Sequence, residues 1–228
     1  MLRLEFIQKA KNKNGLTQLV LTTHNNHIIN KLSMNNITLL VNDKTAIGFA
    51  DIDPNFVYYL SKRENFDTFN LIFAKKLILV EGATEEIYLN CLLQYKRINN
   101  ITVISVGQKG FKTFIEIWNK LHSGADKLGV IRDYDFQDNA KAEHEAYNSN
   151  TIYISTAIGK EFECDFVKQS NNLDLLNVLF NQNFKTEEMI KLMTSDKLNN
   201  ILSVCKSIES GTDFDIPSYI SSLLEWIK

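Results

Sequence analysis

The sequence has few of the features that mark secreted, membrane-bound or disulfide-stabilised proteins. Its 228 residues include three cysteines. They are widely spaced and odd in number, which argues against a disulfide framework or a zinc knuckle and fits a reducing cytoplasm. No apolar run approaches the roughly 18 residues that a membrane span requires, and the N-terminal segment lacks the apolar run of a signal peptide. We therefore predict a cytoplasmic location and no membrane partner.

Proline and an excess of charge of one sign are also scarce. Two prolines occur, and no Gly/Ser-rich linker divides the chain, so domain boundaries are soft. The formal net charge of −2 provides no general basic field, and any contact with nucleic acid must use a local patch or metal ions. A composition of 44% hydrophobic and 23% charged residues is typical of a globular protein with a substantial core.

From Phe73 onward, continuous apolar runs alternate with amphipathic segments. Such alternation indicates an α/β fold with a mostly parallel sheet that is covered on both faces. The C-terminal part predicts three or four short helices. The predicted strands are 17–24, 37–41, 76–80, 101–106, 128–132 and 151–155, and the predicted helices outside the C-terminal part are 2–12, 54–66, 84–95, 111–122 and 139–147.

Carboxylates follow three of the predicted strands at the point where each ends, and another begins a helix. Because the carboxyl ends of parallel strands meet at one edge of a sheet, we expect these acids to lie close together. Alternate residues of an extended segment point the same way, so the two aspartates should face one point. The helix acid should lean back toward the helix start. The set is Glu81, Glu85, Asp133, Asp135, Glu161 and Glu163.

This set predicts a metal site. Neighbouring carboxylates repel each other unless a positive charge lies among them, and oxygen ligands without His or Cys suit Mg²⁺, Mn²⁺ or Ca²⁺. Two ions about 3.5–4 Å apart can act on the attacking and leaving oxygens of a phosphate ester. The alternative is that each acid is a solvated loop residue or a favourable charge at a helix N-terminus. We favour two Mg²⁺ or Mn²⁺ ions and phosphodiester hydrolysis.

Four segments together resemble a known domain. LIFAKKLILVEGATEEIYL (71–89), VISVGQKGFKTFIEIWNKL (103–121), KLGVIRDYD (127–135) and GKEFECDFV (159–167) resemble, in order, the strands and acidic motifs of the TOPRIM domain of overcoming lysogenization defect (OLD) family nucleases. The resemblance implies a metal-dependent endonuclease acting on DNA, although the residues do not distinguish DNA from RNA. It also suggests phage defence as the setting.

The resemblance, together with the acids, assigns roles to the site residues. Glu81, Asp133 and Asp135 would hold one ion with assistance from Glu85, and Glu81 would also act as general acid or base. Glu163, with Glu161, would approach a second ion.

Cationic residues should help to stabilise the transition state. Lys109 and Lys112, in the turn after the second strand of the domain, are candidates for this role. OLD-like nucleases also use a lysine beyond the last acidic motif, and the sequence leaves its identity open. The possible positions are Lys168, Lys185, Lys191 and Lys197.

The N-terminal segment LVLTTHNNHIINKL (19–32) resembles the end of an ABC-type ATPase domain, with His24 as the nucleotide sensor. No G-x-x-x-x-G-K-[ST] phosphate loop occurs in the sequence, so ATP would act only through a missing ATPase half. The resemblance further implies a homodimer or a partner ATPase subunit. We divide the chain into residues 1–70, an ATPase C-terminal fragment, 71–170, a TOPRIM nuclease domain, and 171–228, a helical tail.

Three other interpretations stay open at this point. The chain could be another TOPRIM enzyme of the primase or topoisomerase type, although the extra modules of those enzymes are not evident. It could be a catalytically idle remnant or an interaction subunit, against which the intact acid set argues. A response-regulator-like fold would share an acidic pocket but has no counterpart of the E-G-x-T-E segment.

Overall fold

A parallel sheet forms the centre of the fold. The computed structural model describes residues 20–22, 36–42, 45–48, 54, 58, 68–107, 110–122 and 124–228. The strands in this part are β1 (Thr38–Asn42), β2 (Thr45–Gly48), β3 (Lys76–Val80), β4 (Thr102–Ser105), β5 (Lys127–Arg132) and β6 (Ile152–Thr156). The last four form one sheet in the order β4-β3-β5-β6, with parallel pairing throughout. The predicted α/β class is therefore confirmed.

Helices cover both faces of this sheet. They are α1 (Thr68–Phe73), α2 (Ala83–Tyr95), α3 (Phe111–Leu121), α4 (Asp138–Glu145), α5 (Phe162–Val167), α6 (Asn172–Phe180), α7 (Thr186–Ser195), α8 (Lys197–Glu209) and α9 (Ser218–Ile227). None of these described helices has both the length and the apolar character that a membrane crossing requires.

The central strand β3 shows why the sheet strands are apolar at every position. Successive side chains of a strand point to opposite faces. Leu77 and Leu79 enter the core shared with α1 and α3, whereas Ile78 and Val80 enter the core shared with α2, α5, α8 and α9. Because both faces are buried, no position in β3 between Leu77 and Val80 is free for a polar side chain. The first polar residue can appear only where the strand ends.

The C-terminal helices complete the second core. Ile201 and Val204 of α8 and Ile220 of α9 are fully buried in the same cluster as Ile78. Helix α9 approaches β5 closely, because a Cβ atom built on Gly129 would lie 2.8 Å from Cδ2 of Leu223. Residues 171–228 therefore pack directly onto the sheet, and they bring α8 beside the carboxyl edge of β3.

Several expectations fall partly or wholly outside the described residues. The helix predicted at 2–12 and His24 lie there, as does most of the ATPase-like segment. Where the structure does describe residues before 68, β1 and β2 form an antiparallel pair. The strand predicted at 37–41 corresponds to β1, and the sequence did not predict β2.

Candidate active site

The turn between β3 and α2 places two acids at the carboxyl edge of the sheet. Glu81 directly follows β3, and Gly82 is the N-cap of α2. The Glu85 carboxylate turns back to this start, where its Oε2 accepts a hydrogen bond from the Gly82 N–H at 3.1 Å. A Cβ atom on residue 82 would lie only 3.0 Å from that oxygen, so the absence of a side chain there allows the close return. The predicted orientation of Glu85 is confirmed, and the side chain is 6% exposed.

Asp133 joins this pair from the end of β5. Its Oδ1 accepts a hydrogen bond from the backbone N–H of Phe162, the first residue of α5, at 3.1 Å. This bond ties the end of β5 to the start of α5 and fixes the Asp133 carboxyl. Burial, followed by the charges of Glu85 and Glu81, raises the pKa of Asp133 to about 8. The carboxyl is thus largely protonated at neutral pH in the metal-free protein.

Burial is also the main cause that raises the pKa of Glu81, Glu85 and Glu163. Neighbouring carboxylates add to it: Glu163 acts on Glu85, and Asp135 acts on Glu81. The backbone N–H of Asp133 and nearby cations partly offset the effect on Glu81. Elevated pKa values of this kind report negative charge concentrated in a poorly solvated place.

Lys197 places a cation against the last acidic motif. Its Nζ donates to Glu161 Oε2 at 2.7 Å and to Glu163 Oε2 at 3.0 Å. Glu163 is 1% exposed, and its other oxygen, Oε1, has no hydrogen-bond partner among the described residues. Burial by itself would lower the pKa of Lys197, but these contacts raise it above its ordinary value. The lysine comes from the first position of α8, so the tail helices contribute directly to the site.

Asp135 departs from the sequence expectation. The segment after β5 does not continue as an extended strand, because Asp135 and Phe136 adopt φ angles of 47° and 57°. The turn is secured where the Asp135 N–H donates to the Lys160 carbonyl at 2.9 Å. The premise of an extended segment through Asp135 is therefore wrong, whereas a shared metal role for Asp133 and Asp135 stays a prediction. Asp135 is exposed and lines a cavity with Glu81, whereas Asp133 is half-buried and, after burial, the charges of Glu85 and Glu81 affect its pKa most.

The two lysine candidates after β4 have different outcomes. Lys109 lies outside the described residues. Lys112 is exposed, forms an ion pair with Glu143 at 3.1 Å and lines the same cavity as Glu81 and Asp135. Lys112 is thus beside the acids but not among them.

The oxygen donors of these acids suit a divalent metal, but their present positions do not form a complete ligand set. Within the described ranges, no three side chains of His, Cys, Asp or Glu are arranged to hold one ion. The donors are nevertheless carboxylate oxygens, which Mg²⁺ and Mn²⁺ prefer. Burial and, after it, the repulsion of neighbouring carboxylates raise the pKa of Asp133, and a bound cation would relieve the repulsion. Oε1 of buried Glu163 has no hydrogen-bond partner among the described residues, and a cation bound there would offset the cost of burying it.

Two features of the site were missed or left undecided by sequence reasoning. Arg132, directly before Asp133, is 6% exposed and has a buried Nη1 without a hydrogen-bond partner in the described part of the chain. The sequence could have indicated Arg132, because a charged residue at the end of the buried strand LGVIR is unusual. The assignment of Lys197 required the packing of α8, which no local pattern reveals.

We expect the stability of the metal-free protein to fall as the pH rises from about 4 to about 8. The pKa of Asp133 is raised from 3.8 to about 8, so in this window the folded state retains a proton that the unfolded chain releases. The melting temperature of the wild type, measured in EDTA, should fall relative to that of Asp133→Asn by more than about 3 °C between pH 5 and pH 8.

The matched control is Asp174→Asn, which removes an exposed acid on α6. Its melting temperature should follow the wild-type pH profile. Parallel profiles for wild type and Asp133→Asn would show that Asp133 is ionised normally.

Comparison with known proteins finds sequences similar to this segment. Residues 72–135 match the model of the overcoming lysogenization defect protein-like TOPRIM domain. Endonuclease GajA of Bacillus cereus (strain HuB5-5) is 27% identical over 159 residues, an alignment that covers 58% of this chain and 23% of GajA. The chain thus spans less than a quarter of the length of that relative.

A solved structure of the C-terminal region of the Xanthomonas campestris pv. campestris OLD protein is also similar. It is 17% identical, with a TM-score of 0.42, over 68% of this chain and 95% of that one. The matched domain of residues 72–135 contains four of the acids and the turn that bears Glu81 and Glu85. Residues 72–135 are therefore similar to the OLD-like TOPRIM domain, in the segment where the motifs predicted such a domain.

Proposed function

We propose that this protein is a metal-dependent nuclease that hydrolyses phosphodiester bonds of DNA with Mg²⁺ or Mn²⁺. The observation that carries the proposal is the convergence of Glu81, Glu85, Asp133 and Glu163 at one edge of the sheet, where their charges act on one another. The OLD-like TOPRIM domain supports it, because TOPRIM domains generally bind divalent metal. The similarity to a protein named an endonuclease supports the reaction type.

The proposed ligands divide into two groups around Asp133. Glu81, Asp133 and Asp135 would hold one ion, with Glu85 beside them. Glu163 and Glu161 would approach a second ion. A divalent ion bound there would lower the pKa of a water molecule and stabilise negative charge on the phosphate.

The chain itself supplies proton transfer and charge stabilisation. Glu81 has a pKa raised mainly by burial, and a positioned carboxyl can act as general acid or base. We further propose Lys197 as the lysine that the sequence left unassigned, because it contacts both Glu161 and Glu163. A preorganised cation at this position would stabilise charge that develops on the phosphate.

The remaining family properties belong to the same proposal. We propose that residues 1–70 form the end of an ATPase domain, that ATP and DNA delivery depend on a partner ATPase subunit or a dimer, and that the cytoplasm and phage defence are the setting. Nicking, double-strand cleavage and action on RNA are outcomes that the substrate assays below separate.

The proposal is tested by incubating the purified chain with supercoiled plasmid and either Mg²⁺ or Mn²⁺. We expect conversion to the nicked or linear form with metal and none in EDTA, because the acids require a cation to bind a phosphate. Parallel reactions with labelled single-stranded RNA and duplex DNA test the substrate class.

Metal binding is measured on the same preparation by titration calorimetry. Metal binding without cleavage would indicate that a partner must present the DNA. If the protein neither binds metal nor cleaves DNA, the nuclease proposal is refuted and an idle TOPRIM domain is favoured.

A further inference from the structure

A cavity of about 420 Å³ opens beside Glu81 on the α3 side of the sheet. We propose that it is a binding site for a backbone phosphate of the nucleic acid strand, adjacent to the phosphate that is cleaved. The inference rests on the proposed nuclease function for the identity of the ligand, although not for the existence of the anion site. The lining consists of Glu81, Gly110, Phe111, Lys112, Thr113, Arg132, Asp135, Gln137, Ala140 and His144.

Arg132 provides the central cation of this cavity. It is the last residue of β5, so its side chain lies on the same face as Val130, toward α3. The side chain is 6% exposed, and its Nη1 has no hydrogen-bond partner among the described residues. Leaving a buried guanidinium donor unpaired is costly. An acceptor oxygen from a ligand would remove this cost.

The N-terminus of α3 forms a second wall of the cavity, and this wall also favours an anion. Gly110, Phe111, Lys112 and Thr113 line the cavity, and no side chain of the described residues caps this helix. At the start of this helix, the Phe114 N–H donates to the Gly110 carbonyl at 3.0 Å. The preceding amides have no partner within the helix, and such amides bind anions. This wall is independent of Arg132, since it belongs to a different element.

The rest of the lining fits a phosphodiester better than a small free anion. Lys112 adds an exposed cation, which it shares with Glu143 of α4. Glu81 and Asp135 also line the cavity and form its acidic wall, which would repel a bare anion unless a metal ion is bound there. A nucleic acid strand satisfies both walls, because one phosphate can lie at the acidic wall with metal while its neighbour lies at Arg132.

The volume agrees with this assignment. A cavity of about 420 Å³ is within the roughly 300–1,000 Å³ that is usual for ligand sites, so it has room for more than a single ion. Phosphate contacts position a strand without reading its sequence. Arg132 is therefore proposed as a positioning residue for the substrate and not as a residue of the reacting atoms.

The first test measures duplex affinity by fluorescence anisotropy with Ca²⁺, a hard cation that carboxylates bind and that can occupy the acidic wall, and a gel confirms that the duplex stays intact. The probe is a labelled 20-base-pair duplex without terminal phosphates. Arg132→Gln should weaken binding about tenfold and reduce the slope of log affinity against log salt by about 1. Arg132→Lys should recover part of both. Lys206→Gln, the same loss of charge on exposed α8, should change neither the affinity nor the fold.

A second pair of variants does not depend on removing a buried arginine. Ala140 lines the cavity from α4, where both Glu and Gln are compatible with a helix. Ala140→Glu should weaken duplex binding much more than Ala140→Gln, because only the former places negative charge at the cavity. Equal effects of the two variants would show steric blocking alone and would overturn the anion site.

Inorganic phosphate distinguishes the two sources of the anion. If Arg132→Gln removes phosphate binding, followed by ³¹P line broadening, and also weakens duplex binding, the proposal stands. If it removes phosphate binding but leaves duplex affinity and salt slope unchanged, the site holds a free phosphate and the assignment to nucleic acid is wrong.

The plasmid assay keeps this inference separate from the proposed function. Metal-dependent nicking together with a duplex affinity that Arg132→Gln does not alter would overturn the inference and leave the nuclease proposal intact. Absence of nicking together with duplex binding that depends on Arg132 would leave the anion site standing and remove the nuclease proposal.

Discussion

Replacement of Glu81 by glutamine should reduce metal-dependent plasmid cleavage by about 100- to 10,000-fold, the range expected when a group that transfers protons is lost. Glutamine keeps the size of the side chain and an oxygen that can accept the Asp133 N–H. It cannot carry the negative charge that a divalent ion requires or take up a proton. The measurement is the initial rate of nicking at saturating Mg²⁺ or Mn²⁺, with metal affinity followed by calorimetry.

The same variant should not lose stability, which separates a site effect from misfolding. Burial is the first cause of the raised pKa of Asp133, and the charges of Glu85 and Glu81 are the next. Removing the Glu81 charge should therefore lower the pKa of Asp133 and leave the melting temperature equal to or above that of the wild type in EDTA. A large fall in melting temperature would contradict this electrostatic account.

Glu86→Gln is the matched control for Glu81→Gln. Glu86 lies in the first turn of α2 and is half-buried, but its pKa depends on burial and on the backbone of Ser105 rather than on the other acids. Cleavage by Glu86→Gln should remain close to that of the wild type. If Glu81→Gln cleaves as fast as Glu86→Gln in preparations free of contaminating nuclease, the site assignment is wrong.

The parts of this fold that the sequence predicted share one physical origin. The parallel sheet buries both faces, so the strands are largely continuous apolar runs, and an acid directly follows two of them. These acids are Glu81 and Asp133, and both directly follow strands whose inner residues are almost fully buried. Glu85 was predictable for a similar local reason, because its carboxyl caps the helix that it begins.

The parts that the sequence did not predict depend on contacts between distant segments or on unusual backbone. The backbone leaves the strand direction because Asp135 and Phe136 adopt left-handed conformations. Aspartate adopts this conformation more readily than most residues, but a bulky phenylalanine gives no such signal. Lys197 reaches Glu163 only because α8 packs beside α2 in the second core. Charge, burial and long-range packing together define the site, and only the first two leave traces in a single sequence.

Replacement of Lys197 by methionine should affect activity and stability together. Loss of the cation should reduce cleavage by about 100-fold or more. It should also lower the free energy of unfolding by about 2 kcal/mol at pH 7. This loss is smaller than for a fully buried ion pair, because the Lys197 side chain is 37% exposed and solvent screens its charge. The cause is Glu163, which is 1% exposed and would remain buried without a cation. Chemical denaturation in EDTA measures the stability change, and plasmid nicking measures the activity.

The controls for Lys197→Met separate its two effects. Lys191→Met, on the exposed surface of α7, should change neither quantity. Adding Glu163→Gln to Lys197→Met should restore most of the stability, because no buried charge is then left unpaired, but it should not restore cleavage.

The pH dependence of the stability of Lys197→Met shows which of two causes lowers it, the uncompensated Glu163 charge or lost packing. Burial is the main cause that raises the pKa of Glu163, and without the lysine only a backbone hydrogen bond offsets it, so this pKa should rise further above its value in the unfolded chain. A carboxyl of this kind costs no stability at low pH, where it is protonated in both states, and destabilises the fold as the pH rises toward its folded pKa. The stability deficit of Lys197→Met relative to the wild type should therefore be larger at pH 8 than at pH 5. A deficit that is independent of pH would mean that lost packing of the lysine stem, and not the uncompensated Glu163 charge, is responsible.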